Sequence, residues 1–294
     1  MAILSGINTK LRGSAGSWTF YRLGGQTVAK EKVAAKSTAK RTYAQMVRRT
    51  QWANIINFWR TFNGDLHPSF QNRPSGRSDF NEFMSANIGI VPVFLTRDQA
   101  RQGGAVVAGY QVTRGSLPSI AIANNGTTGF TTDIALGSLT IGATTTVKDF
   151  SEALINNNRL RFANGDQISF FRCIQSQNAT TQVPYVTTET YEITLDTSDD
   201  ENLVQDLMPA EALTVVDGHL AYTGSVNGGI CYVHSRKEKG KTIVSTQRMI
   251  ITNSLVGTFS STSARDNAIL SYGGTVSEEF LTPDGGPDIA PSNP

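Results

Sequence analysis

The sequence has few of the residues that metals, disulfides and thiol chemistry require. Its 294 residues include two cysteines and three histidines. It contains no Cys-x-x-Cys pair and no two histidines four positions apart, so we expect no metal ion and no cofactor. Cys173 and Cys231 lie in apolar stretches, which predicts two buried free thiols.

Motifs of acyl and phosphoryl chemistry are missing as well. There is no Gly-x-Ser-x-Gly sequence, and the glycine-rich stretch 224–229 lacks the Lys-Ser/Thr ending of a phosphate loop. The acidic clusters 199–201 and 278–279 are runs of neighbours, whereas acid–base catalysis needs two carboxylates held across a cleft. We therefore expect a protein that is not an enzyme.

Long apolar runs and abundant charge are also lacking. No stretch of about 18 apolar residues occurs, so we predict no membrane anchor. The opening segment, residues 1–6, is too short and too polar for a signal peptide, which favours synthesis in a reducing cytoplasm. Charged residues make up 17%, below the roughly 25% usual for soluble domains, as expected for a subunit with permanent neighbours.

The charge that is present is divided unevenly along the chain. Residues 1–104 hold 15 Lys and Arg against 5 Asp and Glu, whereas residues 105–294 hold 11 against 19. A basic front and an acidic back favour head-to-tail association of identical copies, and the front alone would also attract nucleic acid.

Composition predicts an α+β fold with four regions. Residues 1–36 read as an extended arm with a hairpin turn at Gly24-Gly25. Residues 37–104 read as a helical region, and residues 105–281 as a β-rich region of sandwich or barrel type. Residues 282–294 read as a proline-rich tail.

The strongest helix prediction covers residues 38–63, capped by Ser37 or Thr38. Its apolar stripe comprises Tyr43, Met46, Val47, Ile55, Trp59 and Phe62, with Trp52 and Phe58 beside it and the basic residues mostly opposite. Further helices are predicted to start at Ser78 and at Thr96, and to cover 148–156, 206–213 and 261–272. Strands are predicted at 105–112, 120–123, 129–132, 169–174 and 188–195, and in a hairpin formed by 230–234 and 242–251. The charged tip of this hairpin, residues 236–241, is interpreted as solvated, with contact to a phosphate backbone or to an acidic neighbour as the alternatives.

The basic residues of the arm and first helix are the candidate contact residues. Residues 1–60 hold eleven Lys and Arg and one acid, Glu31. Three interpretations stay open: contact with a neighbouring subunit, binding of nucleic acid, or ordinary solvated charge. The candidates are Lys10, Arg12, Trp18, Arg22, Lys30, Lys32, Lys36, Lys40, Arg41, Arg48 and Arg49.

Short motifs spread over most of the chain resemble a known group of proteins. They are Gly6-Ile7-Asn8, residues 11–16, Gly25-Gln26-Thr27-Val28, residues 95–104, Gly115-Ser116-Leu117-Pro118, residues 164–170, Ser245-Thr246-Gln247 and Ser271-Tyr272-Gly273-Gly274. Through these motifs the chain resembles virion proteins of crAss-like phages, of the kind that form stacked rings in the tail barrel. It also resembles a related group of proteins from Bacteroidetes and their phages.

The resemblance implies a structural subunit of a virion, made in the host bacterial cytoplasm. It implies a homo-oligomeric ring of high rotational symmetry, other virion proteins as partners and no catalytic residues. Two alternatives from the residues themselves remain: a nucleic-acid-binding component of the particle, and a glycan-binding receptor-binding protein.

Overall fold

The computed structural model describes residues 2–4, 12–23, 26–32, 40–62, 69–89, 95–124, 129–225, 227–252 and 261–273. Within these ranges the fold is mixed α+β and rich in strands, as the composition predicted. The predicted tail at 282–294 and the candidate residues Lys10 and Lys36 lie outside them.

The predicted arm contains a small antiparallel sheet of four strands in the order β1-β4-β3-β2. These are β1 (Ala2–Leu4), β2 (Gly13–Ala15), β3 (Trp18–Leu23) and β4 (Gln26–Glu31). Leu23 pairs with Gln26, so a two-residue connection joins β3 to β4. The predicted hairpin is confirmed by this pairing, although Gly24 and Gly25 themselves lie outside the described residues.

Three helices follow the arm: α1 (Tyr43–Phe62), α2 (Asp79–Asn87) and α3 (Arg97–Arg101). The predicted caps are confirmed for the second and third, where Ser78 and Thr96 accept from Asn81 and Gln99 backbone amides. The prediction for α1 was wrong at its start, because the helix begins at Tyr43. Thr42 and Gln45 form its capping box, each side chain accepting from the other residue's backbone N–H.

The predicted stripe of α1 is largely buried. Met46, Ile55 and Trp59 are at most 8% exposed, and Phe58 beside the stripe is fully buried. Tyr43, predicted to lie on the stripe, is 48% exposed, because it stands in the first turn, where its hydroxyl donates to Asp266.

The β-rich region contains the remaining strands and helices. The helices are α4 (Val147–Asn157), α5 (Val204–Leu207) and α6 (Thr262–Leu270). The first strands are β5 (Gln111–Thr113), β6 (Ile122–Asn124), β7 (Phe130–Ala135), β8 (Gln167–Gln177) and β9 (Pro184–Thr194). The others are β10 (Thr214–Val216), β11 (His219–Tyr222), β12 (Gly228–Glu238), β13 (Lys241–Val244), β14 (Gln247–Arg248) and β15 (Ile250–Ile251).

A five-stranded sheet forms the centre of this region. Its path is β13-β12-β8-β9, and β15 pairs with β12. Side chains alternate between its two faces. Phe171 and Cys231 pack on one face against Ile55 and Phe58 of α1. The opposite face of the sheet packs into a second core, to which α4 and the sheet β10-β11-β7-β6 also contribute. This second core contains Phe170, Tyr232, Phe150, Leu154 and Leu220.

Further predicted elements differ from the structure. The predicted strand 242–251 is divided into β13, β14 and β15, of which β14 pairs with β5. Residues 105–110 form no strand, because the side-chain amide of Asn54 bonds both the N–H and the carbonyl of Val106 in place of a ladder. The predicted helix 206–213 is instead α5 and a 3-10 turn at Ala210–Ala212, separated at Pro209, whose ring cannot continue a helix.

One hairpin was not predicted at all. Strands β10 and β11 join at Asp217 and Gly218, which have φ values of 50° and 73°. Both positions need positive φ in a type I′ turn, and Asp-Gly is a favoured sequence for it.

Candidate subunit-contact surfaces

The sheet of the arm exposes most of the candidate basic residues. Arg12, Arg22, Lys30 and Lys32 are all exposed, and the indole of Trp18 is 45% exposed. Cross-strand pairing fixes which side chains share a face of the sheet. Trp18 and Arg22 lie on one face, whereas Lys30, opposite Thr19, lies on the other.

The middle residues of the central strand β4, which lies between β1 and β3, are shielded from solvent. Thr27, Val28 and Ala29 are at most 4% exposed. The sheet therefore has a buried centre and exposes Trp18 and Arg22, two residue types that are enriched at protein interfaces.

A second basic surface lies at the amino-terminal end of α1. A cavity of about 450 Å³ is lined by Arg41, Ala44, Gln45, Arg48 and Arg49, and we call it the arginine groove. The positive end of the α1 dipole adds to the charge of the three arginines. The first turn of α1 contains no acidic residue that would offset this positive charge.

The three arginines differ in exposure. Arg41, predicted to lie on the exposed side of the helix, is only 8% exposed, because its guanidinium donates to the carbonyls of Tyr272 (3.4 Å) and Gly273 (2.9 Å). Arg48 is exposed and donates to Gln51 at 3.2 Å, and Arg49 is half-buried. Arg41 thus joins the groove to the residues that follow α6, while Arg48 and Arg49 keep part of their charge accessible.

Lys40 stands between the two surfaces in the chain and is exposed. The structure therefore leaves Arg12, Trp18, Arg22, Lys30 and Lys32 together on the small sheet. Lys40, Arg41, Arg48 and Arg49 lie at or beside the start of α1.

A buried charged cluster around Asp166 lies elsewhere and was missed from the sequence. Asp166 is 1% exposed and accepts from Nε and Nη2 of Arg236, both at 2.7 Å. His234 Nε2 lies 2.8 Å from Oδ2 of the same carboxylate, and the Ala163 backbone N–H donates to it at 2.9 Å. These bonds outweigh the cost of burial and lower the Asp166 pKa to about 2.

This cluster corrects the prediction for Arg236 only, because residues 237–241 of the predicted tip are exposed. Arg236 lies within β12, and its guanidinium is held by Asp166. The turn itself consists of Lys239 and Gly240, with φ values of 48° and 74°. Because Arg236 and His234 Nε2 both bond Asp166, and Arg236 also donates to the Arg161 carbonyl, we interpret the cluster as a stabilising contact between β12 and the loop before β8.

Two further ion-pair clusters also join elements. Glu82 of α2 accepts from Arg77 and Arg114, which holds its pKa below the usual range against the opposing effect of burial. Arg172 of β8 pairs with Glu189 of β9 and with Glu211. Glu82 thus links Arg77 to Arg114, and Arg172 links β9 to the 3-10 turn that contains Glu211.

The cysteines are as predicted: Cys173 and Cys231 are free and buried, and burial raises the pKa of both thiols. Among the residues that the structure describes, no group of three or more His, Cys, Asp or Glu side chains is placed to hold a metal ion. Of the described helices, none is both long and apolar enough to span a bilayer.

Comparison of the chain with protein-family models, with curated proteins and with solved structures gave no match.

Proposed function

We propose that this protein is a structural subunit of a bacteriophage virion that forms part of the tail or neck barrel through contacts between identical copies. The observation that carries the proposal is the sheet of the arm, which exposes the indole of Trp18 on the same face as Arg22, with the exposed Lys30 on its other face. Large aromatic residues and arginine are enriched where proteins bind one another.

The charge pattern supports the same proposal. The arm and α1 belong to the basic front of the chain, and residues 105–294 carry the acidic excess. In a closed ring, one face of each copy contacts a different face of the next. The basic sheet of one copy and the acidic β-rich region of its neighbour fit that arrangement.

In finer terms, we propose that the arm and the helical region form the part of the subunit that contacts its neighbours. The β-rich region then forms the body, with its two cores on either side of the central sheet. Nucleic-acid binding by the same basic sheet is the competing function, since phosphates also attract exposed Lys and Arg.

The experiment measures the mass of the full chain by light scattering, with negative-stain images, at low and moderate salt. Wild type is compared with Trp18→Ser and with Tyr185→Ser, a matched control because Tyr185 is 46% exposed on β9. We expect wild type and the control to form rings or stacks, and Trp18→Ser to form them at a clearly higher concentration or not at all.

Two results would count against the proposal. One is a monomer at every concentration with salt-sensitive DNA binding, which would favour the nucleic-acid function. The other is equal assembly by both variants, which would show that the arm makes no subunit contact.

A further inference from the structure

We propose that the turn after α4 packs Leu160 against Leu207 of a second copy of this chain and places Arg159 beside Asp206 of that copy. We call this turn, residues 158–161, the leucine turn. The inference rests on the proposed function, in which identical copies assemble, and it adds a contact made by the β-rich region to the one made by the arm.

The first observation is the conformation of the leucine turn. The Arg161 N–H donates to the Asn158 carbonyl at 3.1 Å, which closes a turn of four residues. The two central residues, Arg159 and Leu160, have φ values of 42° and 63°. Two consecutive positive φ values are typical of turns with asparagine or glycine at these positions, because a larger side chain crowds the backbone there. A leucine in this conformation is uncommon and strained.

The protein holds the leucine turn in place from both sides. Asn158 Oδ1 accepts from the Ala135 N–H at 3.0 Å, and Asn158 Nδ2 donates to the Ala135 carbonyl at 2.7 Å. Arg161 donates to the Ser119 carbonyl at 2.6 Å and pairs with Asp133 at 3.1 Å. Strained backbone persists where its surroundings fix it in this way. The turn therefore presents Leu160 on a rigid support, which lowers the entropy that a contact would cost.

Leu160 makes no use of this position within one copy. Its side chain is 95% exposed, the highest value among the large apolar side chains that the structure describes. Arg159 is exposed too, and its guanidinium bonds to none of the described residues. A single exposed leucine is ordinary on a protein surface, but here asparagine or glycine would relieve strain without loss of a contact. We infer that a contact outside the copy uses the leucine.

The surface of α5 offers the complementary pair of residues. Leu207 is 38% exposed, and the neighbouring Asp206 is exposed, with no hydrogen bond or ion pair from the described residues to its carboxylate. Contact between the two leucines would remove both from water, and an arginine can pair with a carboxylate through two parallel hydrogen bonds. Each surface thus presents an exposed leucine next to one charged residue, and the two charges are opposite.

Helix α4 separates these two surfaces within the copy. The leucine turn follows its carboxyl end, whereas the chain just before α5 bonds its amino end. There the Val147 N–H donates to the Asn202 carbonyl at 2.9 Å, and α5 begins two residues later at Val204. The eleven residues of α4 span about 16 Å. A contact between two different surfaces joins copies head to tail, and it closes into a ring if the rotation between copies allows.

Replacement of Leu160 in the full chain tests the apolar half of the contact. Asparagine adopts positive φ more readily than leucine, so the melting temperature of Leu160→Asn should equal or exceed that of the wild type. The concentration needed for assembly, measured by light scattering, should rise at least about tenfold, as the loss of a buried leucine implies. A purely structural role of Leu160 would not weaken assembly while stability is retained.

Exchange of the two charges tests the identity of the partner. Arg159→Glu and Asp206→Arg should each raise the concentration needed for assembly about three- to tenfold at low salt, because like charges then meet. The double variant Arg159→Glu/Asp206→Arg restores opposite charges at every contact and should assemble within about twofold of the wild type. The control Lys241→Glu, a charge reversal at an exposed position of β13, should assemble as the wild type does.

Two results would overturn this contact: assembly of Leu160→Asn at the wild-type concentration, or a double variant that assembles no better than its two single parents. If Trp18→Ser still weakens assembly in either case, the proposed function stands without this contact. A wild type that remains a monomer at every concentration would overturn both proposals, so the two can be told apart.

Discussion

Replacement of Asp166 by asparagine tests the most highly bonded polar cluster of the fold. The carboxylate accepts two bonds from Arg236 and one from the Ala163 N–H, and lies 2.8 Å from His234 Nε2. Asparagine keeps the size of the side chain. It loses the negative charge and offers one acceptor oxygen in place of two, so Arg236 and His234 can no longer both be satisfied.

The magnitude follows from the Asp166 pKa, which falls from an ordinary value of 3.8 to about 2. A shift of roughly two units corresponds to about 2–3 kcal/mol of folding stability at neutral pH. Removing one member of a buried ion pair typically costs about 3–5 kcal/mol, because the partner charge is left uncompensated. Asp166 is 1% exposed, whereas the Arg236 side chain is 29% exposed and can recover some hydration. We therefore expect Asp166→Asn to lower the free energy of unfolding by about 3 kcal/mol.

The same pKa gives the pH dependence. Because folding lowers the pKa of the Asp166 carboxyl group, the ionised group stabilises the fold fully at pH values above its unfolded pKa near 3.8. This stabilisation is lost as the pH falls toward about 2. The unfolding free energy of the wild type should therefore decrease between about pH 4 and pH 2 through this group. The Asp166→Asn variant lacks that contribution, so the difference between the two proteins should shrink over the same range.

Urea unfolding followed by circular dichroism at pH 7 and at several lower pH values measures both effects. Glu152→Gln, on the exposed side of α4, is the control and should change stability by less than about 0.5 kcal/mol. A loss below about 1 kcal/mol for Asp166→Asn, or a difference from wild type that does not change with pH, would refute the reasoning.

Three further substitutions probe the core, a helix cap and a close backbone approach, each by urea unfolding. Leu154 of α4 is fully buried, so Leu154→Ala should lower the free energy of unfolding by about 2–5 kcal/mol. The control Leu207→Ala should lower it far less, because Leu207 is 38% exposed. Equal losses would contradict the second core as described. Thr96→Ala removes the acceptor for the Gln99 N–H and should lower the free energy of unfolding by about 1 kcal/mol. An unchanged free energy of unfolding would show that the cap does not stabilise α3. Gly228→Ala places a Cβ 1.8 Å from the carbonyl oxygen of Cys173, so β12 must move away from β8. We expect the free energy of unfolding to fall by about 1–3 kcal/mol. An unchanged urea midpoint would refute the close approach of the two strands.

The hairpins show where local sequence is sufficient and where it is not. The turn between β3 and β4 was predicted from Gly24-Gly25 between two strand-like runs, and the β12–β13 hairpin from its flanking strands. Asp217-Gly218 carries an equally good turn signal, but β10 and β11 have only three and four residues, too short for an alternating pattern. A turn motif between short strands would have identified this hairpin.

The Asp166 cluster needed information that local sequence does not contain. Asp166 and Arg236 are 70 positions apart, and both belong to residue types that are usually exposed. Their contact depends on the register of β8 against β12, in which Ile168 pairs with His234. A basic run at the end of a strand was therefore interpreted as a solvated tip, although its single arginine, Arg236, is bonded to a buried carboxylate.

The two faces of the central sheet explain why the helical region packs where it does. In β8, the run Phe170-Phe171 places one ring in each core, and in β12 Cys231 and Tyr232 do the same. Strands buried on both faces have nearly continuous apolar runs, so this pattern requires a cover on each side of the sheet. The sheet β10-β11-β7-β6 and α4 cover one side, and Ile55, Phe58 and Phe83 from α1 and α2 cover the other. The helices at 43–87 therefore share a hydrophobic core with β8, β9 and β12, much further along the chain. The boundary near residue 104 is thus a change in composition, and the hydrophobic core is continuous across it.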